Sequence, residues 1–178
     1  LNNPRVSLLT GGEALPGPAC GYAHTVLMTD SSAFRAEDAL QAEHFGPVTM
    51  FVMCTSSADL LATIERLEGN LTATVHAADD ELDTAGAVYA ILREKAGRLL
   101  WNGFPTGVEV VYAMQHGGPY PATTAPGTTS VGMEAVKRFM RPVAFQNMPD
   151  SLLPDALKDA NPLGIWRIVD EHMTRDAL

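Results

Sequence analysis

A chain of 178 residues, 46% of them hydrophobic, is long enough to bury one core of ordinary size and short for two full domains. A net charge of -9 and a pI near 4.9, with Lys and Arg scattered, repel phosphate backbones and argue against a nucleic-acid partner. No apolar run approaches the roughly 20 residues that cross a bilayer, and Leu1-Asn2-Asn3-Pro4-Arg5 lacks the order of a secretory signal; a soluble, cytoplasmic protein with no membrane partner is expected.

Cys20 and Cys54 are the two thiols, too few for a disulfide framework in a chain of this size. Val6-Ser7-Leu8-Leu9-Thr10 reads as a strand with no cap before it, and the chain opens on Leu rather than Met. A piece of something longer is the expectation. Gly11-Gly12-Glu13 and Pro16-Gly17-Pro18 then make a turn-rich loop, and His24–Met28 reads as a second short strand.

Glu43-His44-Phe45-Gly46-Pro47 leads directly into the apolar run Val48–Cys54. A carboxylate, a ring two residues on and a Gly-Pro turn at a strand mouth would hold an acid and an aromatic rigidly, where α/β proteins bind ligands. The plain alternative is a loop-to-strand entry with Phe45 as a core plug and Glu43 solvated. Val48–Cys54 itself is apolar on both faces, as in a strand covered by helices on each side of a sheet.

Ser56 or Ser57 caps a helix carrying Leu60, Leu61, Ile64 and Leu67, ended by Gly69. Leu71–Val75 is β-rich, and Asp79-Asp80-Glu81 opens a helix where negative charge favours the N-terminus. That helix buries Ala85, Val88, Leu92 and Ala96 and stops at Gly97. Arg98–Asn102 gives another strand. Alternating strand and helix predict an α/β fold with a mostly parallel sheet and flanking helices.

From Gly103 to Gly127, Gly and Pro recur, too long a stretch for a simple connector and so a structured functional loop or packing arm. Thr128, Thr129 or Ser130 caps a further helix with Val131, Ala135 and Phe139, which runs into a strand at Arg141–Gln146 whose Pro142 restricts it to an edge or a start. Asp150–Leu178 reads as a mixed tail with a short helix around Pro154–Asp159.

Gly11-Gly12, Gly21-Tyr22, Thr25-Val26, Glu43-His44-Phe45-Gly46-Pro47, two strand–helix units, Trp101-Asn102, Gly117-Gly118 and a last helix and strand, in this order, resemble the C-terminal third of an aldehyde dehydrogenase. Within that superfamily, Trp101–Val108, His116–Thr123 and Arg138-Phe139-Met140-Arg141-Pro142-Val143 resemble the 2,5-dioxovalerate (α-ketoglutaric semialdehyde) dehydrogenases. The resemblance covers about residues 7–150. It implies division into residues 1–140, part of a catalytic domain, and residues 141–178, an oligomerisation strand and tail. It further implies an NAD or NADP cofactor held with an upstream part, with Glu43 accepting hydrogen bonds from the nicotinamide ribose and Phe45 beside the ring. Phe104, Thr106 and His116 are the implied substrate-lining residues, and Arg141–Met148 the strand that pairs with another subunit of a homo-oligomer. Ala42 stands where many relatives carry a second acid, and His44 where an aliphatic residue is usual.

The catalytic thiolate of that family lies far upstream of the Glu-x-Phe-Gly-Pro motif; Cys20 and Cys54 do not match it, and no glycine-rich phosphate loop opens a helix here. No catalytic residue and no metal ligand are therefore expected in this chain. His76, followed by Asp79 and Asp80, lacks a second histidine at ligand spacing and reads as a solvated helix start. Asn102 reads as a turn residue bonded to its own backbone. The expected activity is oxidation of a semialdehyde to a carboxylate by a longer protein, the chain alone being inactive. A non-catalytic assembly module built on the same fold is the alternative.

Overall fold

The computed structural model describes residues 3–18 and 20–178; Leu1, Asn2 and Ala19 lie outside them. It comprises two compact units, Leu1–Arg138 and Phe139–Leu178.

In the first unit, β1 (Ser7–Thr10), β2 (Thr25–Asp30) and β3 (Val48–Met53) form one sheet. β1 runs antiparallel to β2, and β2 parallel to β3 with Thr25 opposite Val48 and Asp30 opposite Met53. Helix α1 (Ser31–Ala36) follows β2 because the Asp30 carboxylate accepts from the Ala33 N–H at 2.8 Å, satisfying an orphan donor of the first turn. Sequence periodicity gave no sign of so short a helix. Helix α2 (Ser57–Ile64) starts at Ser56 as expected, the hydroxyl accepting from Asp59 N–H at 3.2 Å.

A separate parallel pair joins β4 (Asn70–Val75) to β5 (Ala96–Trp101) through α3 (Leu82–Leu92), with a 3₁₀ turn at Asp79–Glu81 before the helix. Its core is Ile64, Val88 and Leu92, packed by Leu60, Leu61, Leu67, Ala73, Val75 and Leu99. Of the predicted face of α3, Ala85, Val88 and Leu92 are buried on the helix, whereas Ala96 is buried as the first residue of β5.

Several expectations need correction, beginning with α2, which ends at Ile64 and leaves Leu67 and Gly69 beyond it. The single, mostly parallel sheet is instead a mixed three-stranded sheet and a separate parallel pair. β3 is not covered on both faces: Phe51 and Met53, which share one side of the strand by alternation, are 53% and 56% exposed, that side being left open among the described residues. Gly97 does not stop α3, which ends at Leu92; it lies inside β5, where a Cβ would come 2.5 Å from the Gly117 carbonyl oxygen. The helix after Thr128 is a 3₁₀ helix confined to Met133–Phe139, because the Thr129 hydroxyl serves the loop instead, accepting from His116 N–H and donating to Val131 carbonyl.

In the second unit, 3₁₀ turns at Asp150–Leu152 and Asp155–Leu157 precede the hairpin of β6 (Arg167–Val169) and β7 (His172–Thr174). Asp170 and Glu171 both have positive φ, 46° and 69°, as a two-residue hairpin turn requires. Asn161 is buried, and its amide nitrogen donates to the Ile165 and Arg175 carbonyls at 3.0 and 2.7 Å. Arg141–Met148, expected as a strand, has no ladder within the described residues, and Val143, Phe145 and Met148 are exposed.

Candidate functional site

Glu43 lies at the amino end of β3, in the segment that begins the β2–β3 ladder. There the Pro47 carbonyl accepts from Thr25 N–H at 2.8 Å and Gly46 takes φ 156°. This is the opposite end from the carboxyl edge where open α/β sheets usually bind ligands. Phe45 is 94% exposed, so it is no core plug. Glu43 borders a cavity of about 530 Å³ whose other walls are Gln41, the Leu67–Thr72 entry to β4, and Pro121-Ala122. No Lys or Arg stands within ion-pair distance of Glu43 among the described residues. Its two oxygens are open acceptors.

The long loop after β5 determines where the other predicted residues fall. Asn102, at φ 46°, donates to the Ala77 carbonyl at 3.0 Å and accepts from Ala77 N–H at 2.9 Å, so it clamps the exits of β4 and β5 together and not its own backbone. Phe104 follows, 76% exposed, with its ring centroid 5.1 Å from that of His76. Thr106 N–H bonds the Phe104 carbonyl at 2.8 Å, and Arg98 Nη1 donates to the Gly107 carbonyl at 2.8 Å. The chain then runs back toward the amino end of β5. Gly117 and Gly118 pass against Gly97 and Asn70, and Pro119 and Tyr120 against Gly69, all too close for a Cβ.

Phe104 and Thr106 thus sit at the carboxyl end of the β4–β5 pair and His116 at its amino end. Gly97 and Trp101 are separated by a rise of roughly 13 Å, so the three do not form one patch. His116 is anchored through its backbone, its carbonyl accepting from Ser130 N–H and Oγ, while Nδ1 is buried with no hydrogen-bond partner. What comes together instead is Glu43 with Pro121-Ala122, across the cavity. Sequence reading took His76 for a solvated helix start and gave Arg98 and Gln41 no role. His76 meets the loop because Val75 pairs with Trp101, which places the residues following the two strands side by side, a register that local pattern does not carry. Cys20 is exposed and Cys54 half-buried, both free. No group of His, Cys, Asp and Glu suited to a metal occurs among the described residues, and no helix is long and apolar enough to cross a membrane.

Asp59 is the strongest electrostatic anchor of this unit. The Thr55 N–H at 2.9 Å, the Ser31 hydroxyl at 2.7 Å and the Arg35 guanidinium at 2.6 Å converge on its carboxylate. These bonds, the Thr55 amide foremost, hold its pKa well below the ordinary carboxylate range. The network ties α1 to the start of α2 and lies away from the cavity.

The fold is similar to part of solved aldehyde dehydrogenases. Betaine aldehyde dehydrogenase from Staphylococcus aureus, solved in complex with NAD+, superposes with a TM-score of 0.57 at 19% identity, covering 75% of this chain and 26% of that one. Sequence relatives agree: the chain is 45% identical over 167 residues to α-ketoglutaric semialdehyde dehydrogenase 2 of Azospirillum brasilense, covering 94% of this chain and 32% of that protein. It is 43% identical over 176 residues to α-ketoglutaric semialdehyde dehydrogenase of Acinetobacter baylyi, covering 99% of this chain and 34% of that protein. No protein-family model matches the chain. The chain therefore spans about a third of the length of the curated relatives it matches, and over nearly all of its own length it is similar to part of these semialdehyde dehydrogenases.

Proposed function

We propose that the chain acts as the C-terminal part of an NAD(P)-dependent aldehyde dehydrogenase that oxidises α-ketoglutaric semialdehyde (2,5-dioxovalerate) to 2-oxoglutarate. The observation that carries this reading is identity of 43–45% to α-ketoglutaric semialdehyde dehydrogenases over nearly the whole chain. The free carboxylate of Glu43 at the rim of a 530 Å³ cavity supports it.

The fit to a nicotinamide ribose is chemical. A carboxylate with both oxygens unpaired accepts from two vicinal hydroxyls, and a cavity of this volume lies in the range of ligand sites. The bound nicotinamide supplies the hydride acceptor. Glu43 fixes where that acceptor sits, and Phe45, already turned outward, packs beside the ring. Phe104 and Thr106 line the aldehyde path within Gly103–Thr123, and His116 stands with the loop on the Glu43 side. An apolar wall and a hydroxyl suit a keto-acid semialdehyde, whereas a plain aliphatic aldehyde leaves the polar group unpaired.

Glu43→Gln in the complete dehydrogenase tests the cofactor role. Losing one charge-assisted bond costs on the order of 1.5 to 3 kcal/mol, so weaker cofactor binding and slower hydride transfer are expected with the fold intact. Unchanged constants return Glu43 to a solvated surface role. The isolated chain is expected to form no reduced nicotinamide from aldehyde; turnover lost on mutating Cys20 or Cys54 would overturn that.

Arg141–Met148 is the proposed strand of an intersubunit sheet in a homo-oligomer. Its unladdered backbone and the exposed Val143, Phe145 and Met148 support that role. A strictly monomeric complete protein in sedimentation removes it.

A further inference from the structure

We infer that His76 and Arg98 are positioning residues for the segment Phe104–Gly107, so that discrimination between an acidic semialdehyde and a plain aliphatic aldehyde depends on two side chains that do not touch the substrate. The inference rests on the proposed reading of Gly103–Thr123 as the wall of the aldehyde path.

Pro105 and the Thr106 N–H bond to the Phe104 carbonyl shape the middle of Gly103-Phe104-Pro105-Thr106-Gly107, but a glycine at each end leaves its course over the strands only weakly set by its own backbone. Three contacts choose it instead. At the root, the paired bonds between Asn102 and Ala77 fix the exit from β5. In the middle, the Phe104 ring leans on His76 at an interplanar angle of 45° and a centroid distance of 5.1 Å, an aromatic contact of favourable geometry. With Phe104 76% exposed, little else holds that ring. At the far end, Arg98 reaches up from β5 and donates to the Gly107 carbonyl at 2.8 Å, with Met114 Sδ at 3.9 Å from the same nitrogen.

Arg98 is unusual in its surroundings. It is only part-exposed, its Nε is buried without a hydrogen-bond partner, and no carboxylate pairs with it among the described residues. A guanidinium held part-buried without an ion-pair partner is costly for the fold alone. The bond it does make is to the loop backbone, so its place is explained by holding that loop. His76 is exposed at the entry to the Asp79–Glu81 turn, and it forms no hydrogen bond or ion pair that would give it another task among the described residues.

The test uses the complete dehydrogenase with His76→Ala, His76→Phe, Arg98→Met and Arg98→Lys. Two readouts are kept apart: amide hydrogen exchange at Phe104–Gly107, and kcat/KM for 2,5-dioxovalerate relative to hexanal. His76→Ala and Arg98→Met are expected to speed exchange in the segment and to lower the substrate ratio by roughly 2- to 10-fold, the range such an aromatic contact is worth. The change should fall mainly in KM for the acidic substrate. His76→Phe, which keeps a ring beneath Phe104, and Arg98→Lys, which keeps a donor, are expected to restore most of both. Unchanged exchange overturns the positioning role itself. Faster exchange with an unmoved substrate ratio overturns the reading of the loop as the substrate wall, and the specificity claim falls with it.

Discussion

The β4–β5 and β2–β3 pairs are both parallel and both linked through a helix, yet they differ in what covers them. On β4–β5, Ala73, Val75 and Leu99 pack against the Ile64–Val88–Leu92 core, while Arg98, pointing the other way by strand alternation, meets the returning loop at Gly107. On β2–β3, Thr25, Leu27 and Thr29 are buried but Phe51 and Met53 on the outer face of β3 are more than half exposed. Parallel pairs are normally buried on both faces. The first pair is completed by sequence that follows it closely in the chain; the second is not completed by the residues described.

If that contrast is right, core truncation should be far more costly on the covered pair than on the bare face. Leu92→Ala is expected to destabilise the chain by about 2 to 5 kcal/mol, whereas Phe51→Thr should stay within about 0.5 kcal/mol. Chemical denaturation of the two variants measures both. Comparable losses would mean that Phe51 is covered in solution.

The glycines sharpen the same comparison. Gly97→Ala drives a methyl to 2.5 Å from the Gly117 carbonyl oxygen and 2.6 Å from its carbon. Because the neighbour is backbone and cannot swing aside, a loss of about 1 to 3 kcal/mol or more is expected. Gly86, inside α3 with nothing within 4 Å of its Cβ position, should give the opposite sign: Gly86→Ala gains roughly 0.5 to 1 kcal/mol from helix propensity. Thermal melts of the two variants moving in the same direction would contradict the close packing of the loop on β5.

The smallest effect is electrostatic and belongs to the joint between α1 and α2. Asp59 has a folded pKa depressed by the Thr55 amide, the Ser31 hydroxyl and Arg35. The stability it contributes is fully present above the unfolded carboxyl value of about 3.9 and is lost as pH falls through the folded value. Melting temperatures of the chain and of Asp59→Asn should therefore differ most near neutrality and converge in acid. A gap that widens on acidification would rule out the network as its source.

Much of this was readable in advance where a local rule and the tertiary demand coincide. The spacing of Ala85, Val88 and Leu92 gave the buried face of α3, and Ser56 the start of α2. Glycine is where reading failed. Gly97 follows Arg93 and Lys95 and so reads as a helix stop, but its absent side chain serves a backbone that passes from far along the chain. Asn102 was rightly read as a turn residue, but its partner is Ala77, across the strand pair, and not its own backbone. For Arg141–Met148, Pro142 and the alternation of Val143 and Phe145 favour an extended edge, and a ladder needs a second strand that local pattern does not supply.

By itself the sequence determined the order of β1 to β5 with α2 and α3, the face of α3 that carries the core and the motif at Glu43–Pro47, because each depends on residues within a turn or two of one another. Only the tertiary structure decided that the strands divide into two sheets, that one face of β3 stays open, and that the loop after β5 separates Phe104 from His116 while bringing Pro121-Ala122 opposite Glu43. Those outcomes depend on which backbones can approach one another across long stretches of chain, and strand pairing and close approach are set by the partner as much as by the residue.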